Sequence, residues 1–180
     1  KSLFEELQED PLRPFVVSGV GGVHAAVPVK AVAQHLELAG EVGDIVVGDL
    51  RRMNVIFDEL YRRYPQLNVC ETDIAREFDM LLGCYRGKGK VLTCGNGGSA
   101  ADAEHIVGEL LKKFRRHRPV DAVVAAKLPA ELVTKLEGSL PAVSLVSMSG
   151  ILTAFANDVG WETAFAQQVL GLGVAGDVLI

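Results

Sequence analysis

Apolar and polar positions alternate along the chain in two rhythms, short apolar runs and stripes at helical spacing. The runs Lys90–Cys94 and Pro141–Ser147 predict buried strands, and another strand begins at Val178. Between the strands, apolar residues recur every three or four positions, which predicts helices. These helices are Met53–Tyr64, Glu71–Tyr85, Ser99–Phe114, Pro129–Leu136, Ile151–Ala156 and Trp161–Leu172. Strands alternating with helices predict an α/β fold whose parallel sheet is covered on both faces.

The first part of the chain follows the same alternation on a smaller scale. Phe15–Val17 predicts a strand, Pro28–Leu38 a helix and Asp44–Val47 a second strand, so residues 13–48 predict a βαβ unit. We interpret residues 1–52 as an upstream α/β segment or the tail of a preceding domain, and residues 53–180 as a separate domain.

Composition and charge narrow the function classes. Apolar residues make up 49% of the 180 and charged residues 23%, which is typical of a globular protein. The net charge of -5 argues against nucleic-acid binding and against an anionic membrane surface. No apolar run is long enough to span a membrane, and no signal-peptide pattern is present. Three sparse cysteines suit reduced thiols, so we expect a cytoplasmic protein.

The stretch TCGNGGSAADAEH, Thr93–His105, carries the candidate chemistry. A glycine loop between a strand and a helix N-terminus exposes unpaired amides that attract phosphate or sugar oxygens. The loop lacks the Walker A spacing and the dinucleotide GxGxxG spacing. A polar-ligand loop and a tight structural turn therefore both stay open.

Two side chains in the following helix support the hypothesis of a polar-ligand loop. His105 and Glu109 are four residues apart, so they share one helix face. The pair could bind one divalent metal, form a base beside its partner, or be a solvated surface pair. The basic run Lys112–Arg118 is interpreted as a solvated helix end, with nucleic-acid contact as the alternative.

Several motifs together resemble one family. The stretch from Cys94 to His105, then Gly108-Glu109-Leu110, is similar to the sedoheptulose-7-phosphate isomerases of the sugar isomerase (SIS) superfamily. Further stretches match in order: Ala154–Asp158, Phe165–Val169 and Gly176–Ile180. The resemblance runs from about Met53 to Ile180.

The resemblance implies a flavodoxin-like three-layer α/β sandwich, assembled as a homotetramer. It implies interconversion of sedoheptulose 7-phosphate and D-glycero-D-manno-heptose 7-phosphate through an enediol, an early step of activated heptose synthesis. It also implies that Asn96, Gly97 and Gly98 line the substrate and that Ser99 helps hold its phosphate. His105 and Glu109 would bind one zinc ion per site.

The resemblance gives Glu109 two further roles, as the proton-transfer base and as a substrate contact, and His105 is included in the catalytic pair. Asn157 and Asp158 would contact the sugar.

Some family features do not occur in this sequence. A serine- and threonine-rich phosphate loop and a later helix with glutamine and histidine would follow Ile180, so we expect a SIS domain truncated at its C-terminal end. The region Lys113–Leu140 resembles a family variant with a helical insertion. A rearranged chain, in which Phe15–Leu38 replaces the missing strand, loop and helix, is the less favoured alternative for the upstream segment.

Two other functions stay open. One is a non-catalytic SIS-fold protein that acts through protein contacts, such as the DnaA-associating type, and the other is a regulatory domain that senses a sugar phosphate. The pair formed by His105 and Glu109 favours the enzyme, because a binding module does not need both.

Overall fold

The computed structural model of the chain describes residues 16–17, 49–114 and 117–180. The βαβ unit predicted for residues 13–48 lies outside these ranges, apart from Val16 and Val17.

The described strands form one parallel sheet. They are β1 (Val16–Val17), β2 (Val91–Thr93), β3 (Ala142–Ser144) and β4 (Val178–Leu179), in the spatial order β1-β4-β2-β3. Val91 of the central strand β2 pairs with Ala142 on one side and Val178 on the other. This arrangement confirms the prediction that the three downstream strands share one parallel sheet.

The described helices follow the predicted order. They are α1 (Asp49–Arg63), α2 (Glu71–Arg86), α3 (Gly98–Leu111), α4 (Ala122–Ala125), α5 (Ala130–Val133), α6 (Ser149–Asp158) and α7 (Ala164–Leu172), with 3₁₀ turns at Pro65–Cys70 and Trp161–Thr163. α4 was not predicted, and α3 ends three residues earlier than expected. In the part of the chain that the structure describes, no helix is both long and apolar enough to cross a membrane.

Side chains of the strands point alternately to the two faces of the sheet, and each face has its own helices. Val91 packs in a cluster with residues of α2 and α3, including Tyr85 and Leu110. Its neighbour Leu92 faces the other way and packs with Val169 of α7. Two helical layers on one sheet confirm the three-layer α/β sandwich.

The amino edge of the sheet, where parallel strands begin, is closed by a buried ion pair. Asp177 is 1% exposed and accepts hydrogen bonds from the amides of Lys90 (2.9 Å) and Val174 (2.8 Å). Its second oxygen, Oδ2, is also 2.6 Å from the Lys90 ammonium. The pair fixes the start of β4 against the start of β2.

The order in which strands are added reverses at the opposite, carboxyl edge of the sheet. From β2 it crosses to β3 on one side, and from β3 it returns to β4 on the other side of β2. Ligands of open α/β sheets bind at such a switch point, outside the carboxyl ends of the strands. The glycine loop follows β2 directly, so it lies at this edge.

Candidate functional site

The glycine loop has a conformation that only glycine satisfies at two positions. Gly97 has φ +57°, in the left-handed region that disfavours side chains. A Cβ at Gly95 would lie 2.6 Å from the carbonyl carbon of Ser99, closer than real contacts allow. The sequence glycines therefore permit a tight return of the chain onto the first turn of α3.

The Ser99 hydroxyl closes this loop from within. Its Oγ accepts a hydrogen bond from the Asn96 amide at 2.8 Å and donates one to the Asn96 carbonyl, also at 2.8 Å. The hydroxyl proton is thus engaged inside the loop. In this conformation, Ser99 shapes the loop and can offer a ligand only a remaining lone pair.

The loop presents free amides to solvent. Residues Asn96 to Ser99 are exposed, and within the described ranges the amides of Gly97 and Gly98 meet no hydrogen-bond acceptor. They lie at the N-terminus of α3, where the helix dipole favours negative charge. This geometry suits an anion or the hydroxyl oxygens of a sugar.

His105 and Glu109 meet on one flank of α3. His105 Nε2 lies 3.4 Å from Glu109 Oε1, and the Lys112 ammonium lies 3.6 Å from the same oxygen. The Glu109 side chain is 10% exposed, whereas that of His105 is 49% exposed. The pair is therefore not fully solvated, which argues against the hypothesis that it is only a surface pair.

The second carboxylate oxygen of Glu109 distinguishes it from a structural acid. Oε2 is buried and has no hydrogen-bond partner among the described residues. Buried polar atoms in proteins are almost always paired, so an unpaired carboxylate oxygen indicates a place for a proton, a ligand or a cation.

Imidazole nitrogen and carboxylate oxygen are donors that Zn²⁺ accepts, so His105 and Glu109 fit two positions of a zinc site. The described ranges contain no group of three or more His, Cys, Asp and Glu side chains able to hold a metal. The two residues can therefore be part of such a site but do not complete it.

The other predicted substrate contacts lie elsewhere in the described structure. Asn157 and Asp158 are exposed at the end of α6, where the Asn157 amide donates to Asp158 Oδ1 at 3.0 Å. No hydrogen bond or ion pair joins either residue to the glycine loop in the described part of the chain. Their sugar-contacting role stays a prediction.

The structure adds residues that sequence reasoning missed at the carboxyl edge. The Ser147 hydroxyl, just beyond β3, donates to Glu104 Oε1 at 2.8 Å and ties the β3 loop to α3. Thr93 Oγ1 donates to the Ala103 carbonyl at 3.0 Å. Burial raises the pKa of the Cys94 thiol beside the loop, which favours its neutral form.

The interpretation of Lys112–Arg118 as a solvated helix end is wrong at its last residue. α3 ends at Leu111, and Arg118 is 4% exposed. Its guanidinium does not face solvent, because it donates to the Leu110 and Lys112 carbonyls at the helix end.

Residues 58–143 match the family model of the SIS domain. This match confirms the resemblance to the SIS superfamily that the loop and helix motifs indicated.

The chain is also similar to proteins named phosphoheptose isomerase. That of Roseiflexus sp. (strain RS-1) is 44% identical over 102 residues, which are 57% of this chain and 42% of that protein. That of Shewanella sediminis (strain HAW-EB3) is 37% identical over 107 residues, 59% of this chain and 45% of that protein. The chain thus spans less than half the length of these curated relatives.

Among solved structures, the chain matches the phosphoheptose isomerase GmhA from Neisseria gonorrhoeae. The match has 31% sequence identity and a TM-score of 0.47, and it covers 72% of this chain and 58% of that one.

Proposed function

We propose that this protein is a phosphosugar isomerase that interconverts sedoheptulose 7-phosphate and D-glycero-D-manno-heptose 7-phosphate by enediol proton transfer. Two features of one helix support it most. The loop with free amides opens the helix that carries Glu109, a nearly buried carboxylate with an unpaired oxygen. The proposal concerns the whole protein that contains this chain.

The loop would hold the polar end of the substrate. The amides of Gly97 and Gly98 would donate to sugar or phosphate oxygens, and the dipole of α3 would favour the anion. Asn96 would add an amide side chain, and Asn157 and Asp158 would contact hydroxyl groups. Ser99 would keep the loop in its donating conformation.

Glu109 would move the proton. Isomerisation of an α-hydroxy ketone requires a base that takes a proton from one carbon and returns it to its neighbour. Oε1 lies near His105 and Lys112, whereas Oε2 has no partner among the described residues. Oε2 is therefore the oxygen that we assign to proton transfer.

His105 and Glu109 would also hold Zn²⁺, together with ligands from outside this pair. Bound zinc would polarise the substrate carbonyl and stabilise negative charge on its oxygen. A cytoplasmic location, inferred from the sparse cysteines, and a homotetramer, inferred from the family resemblance, complete the proposal.

The test is the conversion of sedoheptulose 7-phosphate by the full-length protein and by Glu109→Gln, followed by NMR of the sugar. Loss of a general base lowers turnover by about 100-fold or more, so kcat should fall by about that factor. KM should change much less, because glutamine keeps the shape of the side chain.

Glu104→Gln is the matched control, since Glu104 lies on the same helix but bonds to Ser147. Its turnover should stay close to that of the unmodified protein. Near-normal turnover in Glu109→Gln would contradict the assigned role and favour a non-catalytic SIS protein.

A further inference from the structure

Arg118 is buried although it ends a strongly basic run. Its Nη2 donates to the carbonyls of Leu110 and Lys112, both at 2.7 Å, and shares one of these two protons with the Glu109 carbonyl at 3.3 Å. Its Nε donates to the Gly138 carbonyl at 2.9 Å. One guanidinium thus joins the end of α3 to Gly138, which lies shortly before β3.

These bonds replace those that the helix itself lacks. The last carbonyls of any helix have no intrahelical donor, and a buried helix end needs other partners. Here the amide of Lys113, which would continue the helix, donates to Glu137 Oε2 at 2.9 Å instead. The Glu109 carbonyl is left to Arg118, and that of Leu111 is capped by the Ser139 hydroxyl at 2.7 Å.

The consequence falls on the Glu109 side chain. Glu109 lies in the last turn of α3, so the direction of its carboxylate follows the position of that turn. Arg118 holds this turn, and its positive charge at the helix C-terminus is favourable to the dipole. His105 and Lys112 instead contact the Glu109 carboxylate itself, at Oε1, and neither donates to the carbonyls of Glu109 or Leu110.

We propose that Arg118 is a positioning residue, which acts through the helix end to set the Glu109 carboxylate at the site. The inference rests on the proposed isomerase function for its activity readout. It assigns no contact between Arg118 and the substrate.

The test compares Arg118→Lys with Ser139→Ala in the full-length protein. Lysine keeps the charge but cannot reach several carbonyls in a plane. Displacement of a catalytic group by about 1 Å costs about 100-fold, so kcat of Arg118→Lys should fall by about 10- to 100-fold. Ser139→Ala removes another cap from the same helix end and should leave kcat within about twofold.

A double-mutant cycle separates positioning from general loss of structure. In a Glu109→Gln background, Arg118→Lys should change kcat by less than about threefold, because no carboxylate is left to position. An equal fall in both backgrounds would overturn the proposal, and so would normal kcat in Arg118→Lys with only a lower melting temperature. If Arg118→Lys does not fold, Arg118→Gln serves in its place.

A second readout keeps the two proposals distinguishable. Zn²⁺ alone, titrated into metal-free protein against a competing chelator, reports the Glu109 carboxylate without catalysis. We expect about tenfold weaker binding in Arg118→Lys and no change in Ser139→Ala. If the unmodified protein isomerises nothing but this pattern holds, the function fails and the positioning stands. If the protein is inactive and its zinc affinity changes with substitution of neither Arg118 nor Glu109, both the proposed function and the positioning role are overturned.

Discussion

The start of β4 and the last turn of α3 each hold a nearly buried carboxylate beside a basic side chain, and the two carboxylates differ in how completely their oxygens are hydrogen-bonded. At the amino edge, both carboxylate oxygens of Asp177 accept hydrogen bonds from Lys90 and Val174. In the last turn of α3, Glu109 shares one oxygen with His105 and Lys112 and leaves the other unpaired.

The difference indicates what each pair does. A buried carboxylate with every oxygen bonded to its own chain has nothing to offer a ligand, so Asp177 stabilises the strand connection. A buried carboxylate with an unpaired oxygen costs free energy in the ligand-free protein. Such a cost persists at functional sites, and this one lies on the helix that begins at the glycine loop.

The largest expected effect on stability comes from the amino edge. Asp177→Asn should lower the free energy of unfolding by about 3 kcal/mol, because it leaves the Lys90 charge without its partner. Urea denaturation measures the loss, and turnover per folded molecule should stay normal. The exposed pair Lys135–Glu131 is the control, since Glu131→Gln should cost less than about 0.5 kcal/mol.

A substitution in the glycine loop should affect stability less than Asp177→Asn does, but should affect ligand binding more. Gly95→Ala places a methyl group against the Ser99 backbone, so the loop must shift at a cost of about 1–3 kcal/mol. Affinity for the sugar phosphate, measured by calorimetry, should fall at least about tenfold, in line with a loss of about 1.4 kcal/mol.

Gly108→Ala is the control for this change, because its added methyl meets nothing within 4 Å in α3. It should leave affinity unchanged and stabilise the helix by up to about 1 kcal/mol. Unchanged affinity in Gly95→Ala would mean that the loop conformation does not serve the ligand.

The sequence predicted the parts of this fold that depend on local pattern. Strand and helix order followed from apolar spacing, and the glycine loop followed from its place between β2 and α3. The end of α3 could not be predicted, because it depends on Arg118 returning from outside the helix. The difference in exposure between His105 and Glu109 could not be predicted either, because both residues occupy one helix face and tertiary packing decides how far each is buried.

The candidate site was predicted only where it is contiguous in sequence. Residues 95–109 belong to one loop and the helix that follows it, so their arrangement along that helix could be predicted from their spacing. Asn157 and Asp158 lie on a different helix, and their relation to the loop depends on tertiary placement that spacing does not contain. For Ser99, the residue type was compatible with a phosphate ligand, but the hydroxyl bonds back to Asn96.

The most direct test of the claim that the carboxyl edge is the binding edge is a titration of the ¹⁵N-labelled protein with sedoheptulose 7-phosphate, followed by amide chemical shifts. We predict saturable shifts at Gly97 and Gly98, because their amides are free to donate, and no shift at Lys90 or Asp177. Saturable shifts at the amino edge, with none at the glycine loop, would contradict it.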